Sequence, residues 1–361
     1  VRAEITVSAP VHKTARVLQL QGLFDVPVEE RLSNSWHMDV PIEERPWSVG
    51  MIVGPSGAGK TTIARHLWPD LVVTSHTWRD DRALVDDFPE GMSIKDIVAL
   101  LGAVGLSSPP AWLRPYRTLS NGEAFRASIA RALAESGDLV VIDEFTSVVD
   151  RQVAKVASHT IQKAVRRGGR QFVAVTCHYD VLEWLQPDWV LDVSTGSFEW
   201  RSVQPRPALE FEIRPVDGRL WPVFARHHYL STQLHASSKK FAGFIDGEPV
   251  AFLAYRHFQH PHTRNLKMEH RLVVLPDYQG LGIGSRFSEW MGQRLYEEGF
   301  RYRSVSSHPA LIAYRSASPR WRMIKGQTKL GTRSKHEWMH THTLDPRRLG
   351  VVSFEYVPPR V

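Results

Sequence analysis

Short apolar runs recur along this chain, each closed by glycine, proline or a carboxylate, and the pattern predicts buried strands joined by helices. Runs at 51–53, 71–73, 139–142 and 172–176 show no alternation, as expected of strands covered on both faces in a parallel sheet. Residues 124–134 carry a helical pattern opened by Leu119-Ser120-Asn121-Gly122-Glu123, with Ser120 suited to cap it. Nearer the N-terminus, Glu4-Ile5-Thr6-Val7 and Arg16-Val17-Leu18-Gln19-Leu20 read as alternating strands, interrupted by Pro27, Pro41 and Pro46. Phe24 and Trp36 are candidates to stack on an adenine ring, with core packing the favoured use.

The pattern changes after Thr195-Gly196. Gln204-Pro205-Arg206-Pro207 reads as a stiff linker, which divides the chain into domains 1–204 and 205–361. Beyond it, 241–245 and 249–254 are strands joined by the hairpin signal Asp246-Gly247. A strand at 266–274 then leads through a glycine-rich turn into a helix at 285–298.

Composition bounds the reading. At 361 residues two cores are expected, and 42% hydrophobic with 23% charged residues describes an ordinary globular protein. No run approaches a membrane span, and Val1-Arg2-Ala3-Glu4 lacks the apolar centre of a signal peptide, so a cytoplasmic location with no membrane segment is expected. Cys177 is the single cysteine, which excludes an intrachain disulfide and suits a reducing compartment. The net charge of +7 is uneven: residues 206–361 carry 24 Lys+Arg against 13 Asp+Glu, while 1–205 carry 21 against 25. That excess, with 11 of the 17 histidines, suggests a polyanionic partner such as DNA or RNA, with a coenzyme A phosphate or a solvated face as alternatives.

The stretch Gly54-Pro55-Ser56-Gly57-Ala58-Gly59-Lys60-Thr61-Thr62 follows one strand and opens a helix. Its glycines let backbone N–H groups turn inward on a phosphate, Lys60 adds a charge, and Thr61 offers a hydroxyl to Mg²⁺. Asp143-Glu144, closing the strand 139–142, is the carboxylate pair that holds a metal ion and orients a water; His178, closing 172–176, is placed to sense a γ-phosphate.

These residues, in this order, resemble the Walker A, signature, Walker B, D-loop (Thr146-Ser147-Val148-Val149-Asp150) and switch histidine of an ABC-type ATPase, over about residues 30–200. The resemblance implies ATP and Mg²⁺ as cofactors and a homodimer formed head to tail through the ATPase domain. It assigns Gly54, Gly57, Gly59, Lys60, Thr61 and Thr62 to nucleotide binding, and Thr61 and Asp143 to Mg²⁺. Glu144 polarises water, His178 stabilises the γ-phosphate, and Ser120 and Gly122 contact it across the dimer. Two departures stand out: Asn121 replaces a glycine of the signature, and residues 62–118 contain no glutamine for the Q-loop, leaving Asp81, Asp86 or Asp87 as substitutes. The short interval between Walker A and signature leaves little surface for docking to transmembrane helices, which argues against a transport subunit.

In the second half, Gln279-Gly280-Leu281-Gly282-Ile283-Gly284 forms a backbone nest without the Lys-Ser/Thr of a transferred phosphate, which favours a pyrophosphate-bearing cofactor. It resembles the Q/R-x-x-G-x-G/A turn of GNAT acyltransferases, and Ser307-His308-Pro309-Ala310-Leu311-Ile312-Ala313-Tyr314 is similar to that family's N-x-x-A-x-x-x-Y, over about residues 210–325. The resemblance implies acetyl-CoA, or another acyl-CoA, bound at Gln279, Gly280, Gly282 and Gly284, with Tyr314 protonating the departing thiolate. Glu269 or His270 is the candidate base, on opposite faces of one strand. His227-His228-Tyr229-Leu230-Ser231, a basic run from Arg315 to Lys325, and Ser353-Phe354-Glu355-Tyr356 loosely resemble Mom-like enzymes that modify adenine in DNA. His257, His260 and His262 lack metal-ligand spacing and read as a polar loop. The expected fold class is therefore α/β: a P-loop ABC-type ATPase domain followed by a GNAT-fold domain, a mixed sheet with flanking helices. The expected function is an ATPase coupled to N-acyl transfer onto a nucleic acid base. The alternatives are acyl transfer to a protein lysine or small amine with a regulatory ATPase, and a transporter's ATPase subunit.

Overall fold

The computed structural model describes residues 2–10, 12–24, 31–202, 210–228, 233–261, 263–325 and 351–359. The linker at 204–207 and the domain cut at 204/205, Tyr229 to Ser231, and His262 lie outside the described residues. Along the first part run β1 (Arg2–Pro10), α1 (Ala15–Phe24), β2 (Arg31–Asp39), β3 (Val49–Val53), α2 (Lys60–Leu67) and β4 (Val72–Val73). Then come α3 (Ile94–Ala103), α4 (Pro109–Trp112), α5 (Asn121–Glu135), β5 (Leu139–Ile142) and α6 (Arg151–Gly168). They are followed by β6 (Gln171–Thr176), α7 (Val181–Leu185), β7 (Trp189–Asp192) and β8 (Ser197–Trp200). The later part holds β9 (Glu212–Pro215), α8 (Trp221–Ala225), β10 (Lys239–Ile245), β11 (Glu248–His257), β12 (Leu266–Val274) and α9 (Ile283–Glu297). It ends with β13 (Arg301–Ser306), α10 (Pro309–Ala317), β14 (Trp321–Lys325) and β15 (Val352–Tyr356).

Packing gathers these elements into two compact units that are each discontinuous in sequence. One comprises Val1–His76, Ser136–Val148 and Gln162–Gln204; the other comprises Thr77–Glu135, Val149–Ile161 and Pro205–Val361. The segment carrying α3, α4 and α5 therefore packs with the later strands.

In the first unit a six-stranded sheet runs β4-β5-β6-β3-β7-β8, parallel except for the β7–β8 pair. The non-alternating runs become strands whose side chains are buried on both faces, as at Val49–Val53 and Phe172–Thr176. A separate antiparallel pair, β1–β2, places Ile5 opposite Trp36. The segment 16–20 is helix, not the strand its alternation suggested. Thr14 explains the difference: its hydroxyl accepts from Val17 N at 3.3 Å and its carbonyl from Leu18 N at 3.0 Å, starting α1 over a run of leucine, glutamine and arginine that propagates a helix well. No residue of α1 is buried, and Phe24 is 71% exposed, so it is not a core aromatic. Trp36 does pack inward, its indole N–H donating to Ala58 O at 3.0 Å.

The second unit is built on a seven-stranded sheet, β14-β15-β13-β12-β11-β10-β9. Asp246 and Gly247 make the expected hairpin, both with positive φ (51° and 82°) as its tight turn requires. One pair in this sheet is parallel, β12 with β13, and it lasts only from Leu266↔Arg301 to Met268↔Arg303. Beyond that the strands part, and a polar cluster fills the start of the gap. Glu269 accepts from Ser288 Oγ (2.5 Å), Tyr302 OH (2.7 Å), Ser304 Oγ (2.6 Å) and the Arg315 guanidinium (3.1 Å). Arg315 is fully covered and also lies over the Trp321 ring at 4.5 Å. The basic run at 315–325 thus begins with a residue spent on the interior. Burial pushes the Glu269 carboxyl up, but the Arg315 charge and the three hydroxyls outweigh it and hold it below the usual carboxylate range.

Removing one partner of such a pair strands the other charge. Arg315→Met is expected to destabilise the protein by about 3–5 kcal/mol in urea unfolding, whereas a loss under about 1 kcal/mol, the range of an exposed pair, would contradict the account. Because the Glu269 pKa is lowered by folding, its stabilising contribution is present above the unfolded value of about 4.3 and lost as pH falls through the folded value. Glu269→Gln is expected to flatten that acid limb of the stability curve, and an unchanged limb would count against it.

Candidate functional sites

In the first unit, parallel strands β3, β5 and β6 end side by side and deliver three segments to one edge of the sheet. From β3 comes the glycine loop 54–59 and α2. Gly59 takes the left-handed conformation (φ 95°) and caps α2 with no side-chain hydrogen bond, leaving the first N–H groups of the helix pointing out. A side chain here would also collide with Trp36, whose ring would lie 2.4 Å from a Cβ. The Lys60 ammonium is held over the loop by Pro55 O at 2.9 Å, and the residue as a whole is buried. Gly54, Gly57 and Thr62 complete the loop and the first helical turn.

From β5 come Asp143 and Glu144. Asp143 is buried and accepts from Thr61 Oγ1 at 2.9 Å, joining the two expected metal-binding residues directly. Glu144 is in the left-handed region (φ 53°), which turns its exposed carboxylate away from the strand; Ser147 Oγ holds it at 2.6 Å. From β6 comes His178, whose backbone N–H is fixed by Thr176 Oγ1 at 3.1 Å. Adjacent strands thus deliver the segments bearing Lys60, Thr61, Asp143, Glu144 and His178 to one sheet edge, where Thr61 and Asp143 are in direct contact.

In the second unit, Ser120 caps α5. Its hydroxyl accepts from Glu123 N at 3.3 Å while the Glu123 carboxylate accepts from Ser120 N at 3.0 Å, a reciprocal capping box. The Ser120 hydroxyl proton stays available to an outside acceptor. Asp81, Asp86 and Asp87 belong to this unit as well, and Asp87 accepts from Arg79 N.

The second glycine turn repeats the first in outline. Gly282 (φ 81°) caps the 15-residue α9 with no side-chain bond, so the N–H groups at Ile283 and Gly284 open the helix toward solvent-side ligands. Gln279 does not point its amide outward: Ser107 N donates to it at 2.6 Å and it donates to Val274 O at 2.9 Å. His308 donates to Ser107 O at 2.9 Å. The two contacts with Ser107, invisible in sequence, anchor both motif segments to the loop before α4.

Tyr314 is 39% exposed on α10, and its hydroxyl donates to Glu289 Oε1 at 2.9 Å. Burial and then the adjacent Glu289 carboxylate raise its pKa. Neither candidate base offers an open lone pair. Glu269 is saturated inside the sheet. His270 is the extra residue of a β-bulge opposite Ala254 and Tyr255; its Nε2 accepts from His235 N at 3.1 Å, and burial, aided by Arg271 and Arg256, lowers it to about 4. His257 is the last residue of β11 and not part of a loop; among the described residues no group of three or more His, Cys, Asp or Glu is arranged to hold a metal ion. Sequence reasoning missed Glu289 and the buried Arg126 of α5, and read Arg315 only as the start of a basic run. Glu289 carried no motif, and Arg126 sits one turn after Gly122 on a face whose partner lies far along the chain.

Two family models match parts of this chain. Residues 45–179 match an AAA domain model, and residues 198–316 match the acetyltransferase (GNAT) family model. The chain is similar to the zinc import ATP-binding protein ZnuC of Pseudomonas aeruginosa, at 29% identity over 133 residues, 31% of this chain and 49% of that protein. It is also similar to the hemin import ATP-binding protein HmuV of Rhodopseudomonas palustris, at 33% identity over 32% of this chain and 59% of that protein. The chain thus spans about half the length of such curated relatives. Among solved structures, the ribosomal-protein-S18-alanine N-acetyltransferase from Escherichia coli is similar over 40% of this chain and 92% of its own, at 16% identity and a TM-score of 0.30. No helix among the described residues is long and apolar enough to cross a membrane. The chain carries an ABC-type ATPase region joined to an acetyltransferase domain of the GNAT family.

Proposed function

We propose that this protein is an ATP-controlled, acyl-CoA-dependent N-acyltransferase whose acceptor is an amine of a nucleic acid base. The observation that carries the reading is the pair of helices, α2 and α9, that each begin bare behind a left-handed glycine, one with Lys-Thr and one without. The first suits a triphosphate, the second a pyrophosphate.

At the first site Lys60 and the N–H groups of the loop bind the β- and γ-phosphates, Glu144 orients the attacking water, and His178 donates to the γ-phosphate. The Thr61 hydroxyl and Asp143 carboxylate are hard oxygen donors 2.9 Å apart, a fitting pair for Mg²⁺. When bound, Mg²⁺ neutralises charge on the phosphate oxygens. Ser120 and Gly122 of a second copy complete the site in a head-to-tail homodimer. At the second site the turn Gln279–Gly284 takes the pyrophosphate of the acyl-CoA, and the parting of β12 from β13 leaves room for the thioester arm. The acceptor nitrogen adds to the thioester carbonyl carbon, the C–S bond breaks, Tyr314 protonates the thiolate, and the proton shed by the nitrogen passes through water to the tyrosinate and restores Tyr314. ATP-site residues are assigned to 1–204 and acyl-transfer residues to 205–361, in the cytoplasm, where a chain with one cysteine is at home.

The net charge of +11 over residues 206–361 supports a polyanionic acceptor. A specific observation supports a second reading, transfer to a protein lysine or small amine. Arg301, Arg303 and Arg322 all converge on Glu355, and Arg315 is buried against Glu269, so part of the positive charge is neutralised internally.

Lys60→Ala is expected to weaken ATP binding by about 10- to 100-fold, the worth of a charge-assisted hydrogen bond, while acetyl-CoA binding persists. Loss of both in a folded variant contradicts two separate sites. Glu144→Gln should accumulate an ATP-bound dimer detectable by light scattering; a monomer at saturating ATP argues against the head-to-tail assembly. Radiolabelled acetyl-CoA offered with DNA, RNA, protein and small amines decides the acceptor. Label on nucleic acid supports the first reading, and label on protein or amines alone replaces it with the second.

A further inference from the structure

Arg126 lies one turn into α5 and its side chain is completely covered. It donates to Gly122 O at 3.3 Å, to Asp277 Oδ1 at 3.3 Å and to Asp277 O at 3.0 Å. Its Nε is buried with no hydrogen-bond partner. A covered guanidinium is costly unless every donor is met, so an incompletely met one marks a place kept for something other than stability. Asp277 stands two residues before Gln279, and so Arg126 joins the first turn of α5 to the entrance of the acyl-CoA turn.

The surroundings leave this junction no slack. A Cβ on Gly122 would come within 2.8 Å of Asp277 Oδ1, one on Gly105 within 2.9 Å of Gln279 O, and one on Gly280 within 2.4 Å of the Thr160 methyl on α6. Gln279 is tied to Ser107, in the loop that includes Gly105. Backbone packed this closely moves as a body, because a small shift at one end has no void to absorb it.

We propose that Arg126 and Asp277 are positioning residues that couple the two sites: ATP held against Ser120 and Gly122 fixes the start of α5, and through this buried pair fixes the turn Gln279–Gly284 in its acyl-CoA-binding shape. The proposal rests on the ATP and acyl-CoA assignments made above. Coupling between binding sites is reciprocal, so acetyl-CoA also tightens ATP binding by the same factor.

Calorimetric titration of acetyl-CoA into the full chain, with and without a saturating non-hydrolysable ATP analogue and Mg²⁺, tests it. In the wild type the analogue is expected to tighten acetyl-CoA binding by at least about 5-fold, the low end of typical allosteric coupling. Asp277→Asn, which keeps the shape and removes the charge, and Arg126→Lys, which keeps the charge and loses the fork, should bring that ratio close to one while each ligand alone still binds. A structural role would change stability but leave the ratio alone. Equal wild-type affinity with and without the analogue overturns the proposal without any variant, and so does a ratio that survives in both variants. Failure of the wild type to bind one ligand at all is a different result: it removes the assignment of that site, and the coupling falls with it.

Discussion

A phosphate group is best met by donors already in place, and in the function proposed above those donors are helix ends left bare. Helices α2 and α9 each begin behind a glycine in the left-handed region, at Gly59 and Gly282, with no side chain covering the first N–H groups. The rest of each unit serves to hold such an end still. In the first, three adjacent parallel strands bring the glycine loop, Asp143-Glu144 and His178 to one sheet edge. In the second, β12 feeds the turn, and its early divergence from β13 opens the sheet beside it.

Where the sheet opens, the fold needs an internal tie, and the Glu269–Arg315 pair with Ser288, Tyr302 and Ser304 supplies it. A carboxylate on a strand near the reacting groups invites a catalytic reading. Its four donors make it a strut. The same logic applies to His270, pulled toward neutrality by burial and its arginine neighbours. Tyr314, the proposed acid, lies on α10 with its hydroxyl restrained by Glu289.

What could be read from the sequence followed from how local the cause was. The glycine turns, the strands 139–142 and 172–176, the hairpin at Asp246-Gly247 and the Ser120 cap depend on neighbours a few residues away, and they form as read. The segment 16–20 did not, because one threonine start signal outweighed a weak alternation. The distant partners of Gln279, Arg126 and Glu269 lie between 19 and 172 residues away in the chain, and no local pattern encodes them. The grouping of 77–135 with the later strands is of the same kind: it rests on contacts such as Arg126 with Asp277, which are satisfied only after both segments have folded.

Hydrogen exchange of the full chain, read peptide by peptide with ATP analogue alone and with acetyl-CoA alone, tests the central claim of two distinct phosphate sites. The account predicts that the analogue slows exchange across 54–62 and that acetyl-CoA slows it across 279–286, each at the amides that open α2 and α9. Protection of neither stretch, or of the same stretch by both ligands, would contradict it.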